Sequence, residues 1–219
     1  LKKKKPSHWF CQCVRAAWLL LPQSQHWHFM LQPASRCCKF QLSKDKESCT
    51  IEVIFGVRQR DSDIFVGSQP AEAGIPSTAW LETYAVAEAK FFRHVSRQAP
   101  KDSCHCRCLQ LLLGILRGVG ISSYALNTVV MHLLNSVPLT RWRRRDFQHR
   151  LMDILKYLHC SLERKQLQHF VIGNERLPTE ISLPSDFRVA EAPNLFQHLT
   201  SNPEAHRKAT NEYGRLLHR

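Results

Sequence analysis

Three amphipathic helical patterns, run end to end between Asp102 and Leu162 with stop signals between them, constrain this chain to build a helical bundle. Asp102 or Ser103 can cap the first, whose apolar positions Cys104, Cys108, Leu111, Leu112, Ile115 and Leu116 precede a glycine stop at Gly118 and Gly120. The second opens at Ser122 or Ser123, carries Leu126, Val129, Val130, Leu133, Leu134 and Val137, and halts at Pro138. The third lines up Phe147, Leu151, Ile154, Leu155, Leu158 and Leu162, with Asp153, Lys156 and Glu163 off the stripe. Connections this short make the helices neighbours, and burying each Leu or Phe is worth about 1.5–3 kcal/mol, so packing supplies the stability.

Upstream the hydrophobic period changes. His26 to Gln32, Arg36 to Leu42 and Cys49 to Gln59 read as strands, the second and third joined by the polar turn Ser43 to Ser48. In the third, Ile51, Val53, Phe55 and Val57 share one face, with Thr50, Glu52, Gly56 and Arg58 on the other. Asp63 to Val66 adds a short edge strand, and Gln69 to Pro76 is a loop. Ser77 or Thr78 then caps a connecting helix striped by Trp80, Tyr84, Ala87, Phe91 and Val95. Downstream, Phe170 to Pro193 is punctuated by Gly173, Pro178 and Pro184 and reads as irregular. Asn194 to Leu199 makes one apolar turn, and Asn202-Pro203 is an N-cap followed by proline, opening a polar terminal helix. Strands first and helices after is an α+β order. The expected divisions are a basic, flexible start at 1–24, a sheet remnant with its connecting helix at 25–100, and a helical domain at 101–219.

The 219 residues carry a formal charge of +13, concentrated in the first fifty residues and between Lys101 and Arg150. Such basicity suits nucleic acid or an anionic membrane surface, but the preferred reading is a solvated face with a disordered basic start. The apolar run Ala16 to Leu21 is far short of the roughly 20 residues that span a bilayer, and the Lys2 to Lys5 start lacks a signal-peptide core. A first residue of Leu points to a fragment or a processed chain. Nine cysteines, an odd number with no regular spacing, read mostly as reduced or buried thiols.

One ordered set of words goes further. Ser122-Ser123-Tyr124-Ala125-Leu126-Asn127-Thr128-Val129-Val130-Met131-His132-Leu133-Leu134, then Pro138, Trp142, Arg150-Leu151 and Asn194-Leu195-Phe196, resembles the C-terminal helical half of the Mab-21 family. Asp63-Ile64-Phe65-Val66, the run Tyr84 to Phe92 and the run His169 to Pro178 resemble its inositol 1,4,5-trisphosphate receptor-interacting protein-like branch. The resemblance, over roughly Cys49 to Leu199, implies the end of a nucleotidyltransferase-like sheet lobe followed by a Mab-21-type helical bundle. It also implies a single-pass membrane protein whose anchor lies outside this sequence, and a partner that is itself a membrane protein, the inositol trisphosphate receptor. A cell-surface ligand of a signalling receptor is the reading if the domain faces outward.

Nucleotidyl transfer needs carboxylates holding two Mg²⁺ ions against a triphosphate. Glu52 resembles the family's third carboxylate. The first pair would lie upstream, and Asp61 with Asp63 precede Gly67-Ser68 instead of following such a turn. The expectation is therefore a pseudoenzyme with no cofactor, against the alternative of a Mg-dependent nucleotidyltransferase or nucleic-acid sensor. Cys104-His105-Cys106-Arg107-Cys108, with His159 and Cys160, has ligand chemistry but lacks a second close pair to close a tetrahedron, so no metal site is assigned. His94, His132, His149 and His169 lack partners at informative spacing. The interaction candidate is Arg141, Trp142, Arg143, Arg144 and Arg145, where the arginines can meet phosphates or an acidic surface and Trp142 can either stack on a ligand or anchor the loop.

Overall fold

A computed structural model describes residues 6–32, 37–67, 81–115 and 121–217. The chain divides into two compact units, Leu1–Val86 and Ala87–Arg219. The connecting helix thus falls almost wholly with the helices, whereas the sequence grouped it with the sheet lobe.

In the first unit, α1 (Pro6–Trp18) occupies the stretch expected to be a flexible start. Phe10, Val14 and Trp18 recur every fourth residue and give the helix one covered side. Phe10 meets Phe55 edge-on at 5.5 Å, and Trp18 stacks on Phe29 at 5.7 Å. Cys11 and Cys38 form a disulfide, which corrects the thiol reading for these two residues. β1 (His28–Gln32), β2 (Cys37–Lys44) and β3 (Glu47–Ile54) form an antiparallel sheet in that order. The polar turn is tighter than the six residues read from sequence. Ser43 pairs with Ser48 and Lys44 with Glu47, so only Asp45 and Lys46 turn, with Asp45 in the left-handed region that Asp tolerates.

The long strand expected from Cys49 to Gln59 breaks at Phe55. β4 (Gly56–Arg58) belongs to a second antiparallel sheet with β5 (Phe65–Gly67) and β6 (Leu81–Thr83), order β4-β5-β6. A Cβ on Gly56 would sit 3.2 Å from the Val66 carbonyl, so glycine permits this close pairing. The segment read as an edge strand is the centre of this sheet, and Val57, read as sharing one face with Ile51, Val53 and Phe55, is exposed. Ser77, Thr78 and Trp80 lie outside the described residues. Leu81–Thr83 is extended, so α2 (Ala85–Gln98) begins later than its proposed cap.

The second unit holds the core. α3 (His105–Ile115), α4 (Ser123–Ser136) and α5 (Phe147–Arg164) match the three patterns. Ser122 caps α4 by accepting the Ala125 N–H at 3.1 Å, as its position predicts. Leu126, Val129, Val130 and Met131 are fully buried, so α4 is the central helix, covered on more than its stripe. α3 buries Cys108 and Leu112 while Leu111 is exposed, a narrower stripe than expected. Leu116, Gly118 and Gly120 lie outside the described residues. Phe91 and Val95 of α2 are buried, and the Phe91 ring meets Phe170 at 4.6 Å.

Beyond α5 come two short helices, α6 (Ser185–Val189) and α7 (Gln197–Ser201), and α8 (Pro203–Leu217). α6 interrupts the stretch read as wholly irregular. Asn202 accepts the Ala205 N–H at 3.0 Å, the predicted cap of α8. α8 buries Ala209 and Tyr213, and the Tyr213 hydroxyl donates to the Leu155 carbonyl at 3.0 Å. The segment between α5 and α7 is closed by Asn194, whose amide oxygen accepts the N–H groups of Leu167 and Phe196 and whose amide nitrogen donates to the Lys165 carbonyl. Within it Gly173 has φ +71°, and any Cβ there would collide with the Ala190 carbonyl.

Candidate interaction surface

Pro138 ends α4 and leaves the chain two tight 3₁₀ turns, Leu139–Arg141 and Arg144–Asp146, before α5 begins. Trp142, between them, is fully buried. Its carbonyl accepts the Cys104 N–H at 2.7 Å, and Ser103 bridges Arg143, so backbone bonds tie the loop to the start of α3. The Arg150 guanidinium lies 5.9 Å from the Trp142 ring centroid and reaches Asp153 at 2.8 Å. A ring held this way is buried within the helical unit and is not exposed for stacking on a ligand.

Arg141, Arg143, Arg144 and Arg145 are exposed around that ring. Arg143 pairs with Asp102 at 3.6 Å and Arg145 approaches Asp146 at 4.0 Å. Arg144 and Arg145 line a cleft of about 280 Å³ with Cys104, Arg107, Phe147 and Gln148. Arg107 comes from α3, and its guanidinium lies 5.3 Å from the Phe147 ring centroid. Sequence reasoning found the loop arginines and missed Arg107, which sits one turn from Cys104 on the flank of α3 facing the loop's cleft; the i, i+3 spacing was the available signal. A wider groove of about 600 Å³ runs past Val137, Tyr157, Cys160 and Gln168, with Asp153, Lys156 and Arg164 on its rim.

The residues weighed for catalysis are placed otherwise. Glu52 is exposed on β3 opposite Lys39 and accepts a hydrogen bond from the Cys37 thiol. Burial, then this carboxylate, raises the Cys37 pKa. Asp63 is buried 3.9 Å from Arg58, which also donates to the Ser62 and Asp61 carbonyls, so this pair shapes the β4–β5 connection. Among the described residues no group of three or more His, Cys, Asp or Glu is placed to hold a metal ion. In the Cys-His-Cys-Arg-Cys run, Cys104 and Cys108 are hydrogen-bonded to each other, and burial pushes the Cys108 thiol up to about 12. His105 engages Ser103 and Ser96 through its two ring nitrogens, and His159 stacks flat on Tyr213.

One polar constellation escaped the sequence reading. His169 accepts the N–H groups of Val171 and Ile172 at Nδ1, both at 3.1 Å, so its ring proton sits on Nε2 and is directed to the Tyr124 oxygen at 2.7 Å. Tyr124 in turn donates to Glu88. All three lie inside the helical unit, and burial drives each toward its neutral form: the Glu88 and Tyr124 pKa values go up, and that of His169 falls to about 4, with His132 assisting. The other Glu88 oxygen, Oε1, is buried without a partner among the described residues. Spacing held a clue, since Glu88 lies three residues before Phe91 on the covered side of α2. His132 is settled separately, with Nε2 donating to the Gln168 carbonyl at 2.9 Å and its ring stacked on Tyr157.

The class follows from this architecture: an α+β chain whose second unit is a self-contained helical domain. Residues 104–183 match the Mab-21 protein HhH/H2TH-like domain. The chain is 38% identical to the inositol 1,4,5-trisphosphate receptor-interacting protein-like 1 of Rattus norvegicus, over 97% of this chain and 41% of that relative. It is 32% identical to the inositol 1,4,5-trisphosphate receptor-interacting protein of Homo sapiens, over 95% of this chain and 41% of that one, and 27% identical to the Danio rerio protein of the same name, over 99% and 42%. The chain thus carries a match to the Mab-21 domain in its helical unit and, along nearly its whole length, is similar to proteins named for interacting with the inositol 1,4,5-trisphosphate receptor. It spans about two-fifths of the length of these relatives.

Proposed function

We propose that this chain is a non-catalytic interaction module of a single-pass membrane protein, and that it binds or regulates another membrane protein, the inositol trisphosphate receptor being the first candidate. The observation that carries this reading is kinship along nearly the whole chain with proteins named for interacting with that receptor. The use of Asp63 to hold a turn, and of Glu52 beside Cys37, supports a sheet unit that serves structure in place of chemistry. The exposed arginines around Trp142 supply the contact surface. Among the described residues no helix is long and apolar enough to cross a membrane, and in this reading the anchor belongs to sequence outside the chain.

Proximity labelling from the membrane-anchored parent in cells tests it, with Arg141, Arg143, Arg144 and Arg145 intact or reversed to Glu. Enrichment of a membrane receptor that survives nuclease treatment is the expected result. Enrichment of nucleic-acid-associated proteins alone, lost with nuclease, would replace the module with a sensor. Turnover of nucleoside triphosphate by the purified parent with Mg²⁺ would restore the enzyme.

A further inference from the structure

The cleft between α3 and the start of α5 has a charge balance that specifies what it can hold. Arg107, Arg144 and Arg145 line it together, and the neighbouring carboxylate, Asp146, lies 4.0 Å from Arg145. Neither Arg107 nor Arg144 is paired with a carboxylate among the described residues. Two positive charges therefore stand uncompensated around about 280 Å³. Gln148 also lines the wall. Arg107 is held near the Phe147 ring, and the buried Trp142 sits in the backbone of the loop that carries Arg144, so the Arg107 guanidinium is positioned before any ligand arrives.

We infer that this cleft receives a phosphomonoester on a side chain of the protein partner, an inference that rests on the interaction-module reading. A phosphorylated side chain carries about −1.5 to −2 at neutral pH, which matches the two uncompensated arginines, whereas a carboxylate or a phosphodiester brings one charge. Guanidinium forks bind the oxygens of phosphate in pairs, and the space suits one such group. Nucleic acid fits less well. A backbone of evenly spaced single charges needs a track of free cations, and Arg143, next in the loop, is already engaged by Asp102 at 3.6 Å.

The test uses the full chain and a short fluorescein-labelled peptide of Gly and Ala around one phosphoserine, with its Ser and Glu counterparts, read by fluorescence anisotropy. The phosphopeptide should bind at least about tenfold more tightly than either counterpart, and the double variant Arg107→Ala with Arg144→Ala should lose about tenfold or more. Lysine at the same two positions should retain part of the affinity, because charge persists while the fork is lost, and equal melting temperatures establish that the variants are folded. Affinity should rise from about pH 5.5 to 7.5 as the phosphate loses its second proton near pH 6. Equal binding of the three peptides, or no effect of the alanine pair in a folded chain, overturns the inference. Selective capture of duplex DNA, abolished by modest salt and competing with the phosphopeptide, overturns it in favour of nucleic acid. Displacement of the peptide by inorganic phosphate at equal concentration would reduce the site to one for free phosphate and overturn the protein-borne source. If receptor enrichment in cells survives the same alanine pair, the phosphate inference fails and the module stands; phosphopeptide binding with no receptor enriched sinks the module's receptor alone.

Discussion

The two units reach order by different routes. The helical unit buries a continuous set of large side chains, with Leu126, Ile154, Leu158, Trp142 and Phe170 essentially inaccessible. In the sheet unit the buried apolar residues among those described are Cys37, Cys38 and Ile64, while Met30, Ile54, Val57 and Leu81 remain exposed. Aromatic pairs and the Cys11–Cys38 disulfide hold what packing alone does not. One unit is stabilised by shape and the other by a covalent tie, so they should fail under different insults.

The strongest way to break the helical unit is Trp142→Ala, which should lower its stability by about 3–5 kcal/mol in denaturant unfolding followed by circular dichroism. Trp142→Phe should recover much of the loss. For the sheet unit the corresponding change is Cys11→Ser, expected to cost about 2–4 kcal/mol and to be seen as lost amide protection in α1 and β2 with α4 and α5 unchanged. Acid separates the units again. His169 has its pKa depressed to about 4, so its contribution is full above the ordinary value of 6.5 and is lost as pH falls from 6.5 through 4, a swing of roughly 3 kcal/mol. Glu88 works in the opposite sense, its raised pKa adding stability below 4.5 that is lost as pH rises through the folded value. Glu88→Gln should therefore steepen the acid loss measured by urea titration across that range, and His169→Phe should flatten it. The smallest effect belongs to Arg143→Ala. Its pair with Asp102 is half-exposed on both sides and should contribute less than about 1 kcal/mol, a loss that salt erases.

The helical unit was legible because each helix carries its own punctuation. Ser122, Pro138 and Asn202 act within a few residues of where they stand, and the structure uses Ser122 and Asn202 as caps. The sheet unit was less so, since register depends on partners distant in sequence. Nothing local marks Phe55 as the residue where one sheet hands over to another, and Gly56 matters only because the Val66 carbonyl lies opposite. α1 was missed because its charged flank obscured a short stripe of Phe10, Val14 and Trp18. In the candidate cleft, the loop arginines were visible as a run, but Arg107 joins them only once α3 and α5 are packed together. Glu88, Tyr124 and His169 come from three segments, and only tertiary structure brings them into one line.

Asn194 has a consequence for how the molecule can be taken apart. Its side chain, with the bonds from Leu195 to Leu167 and from His169 to Pro193, fastens the two ends of a long surface excursion to each other. Leu177 and Ile181 are sunk into the body along the way, while Arg176 is exposed. A trypsin cut after Arg176 would thus sever the chain without releasing either piece. The two fragments should travel together through a sizing column and part only in denaturant, and separately made halves divided at that point should reassemble when mixed.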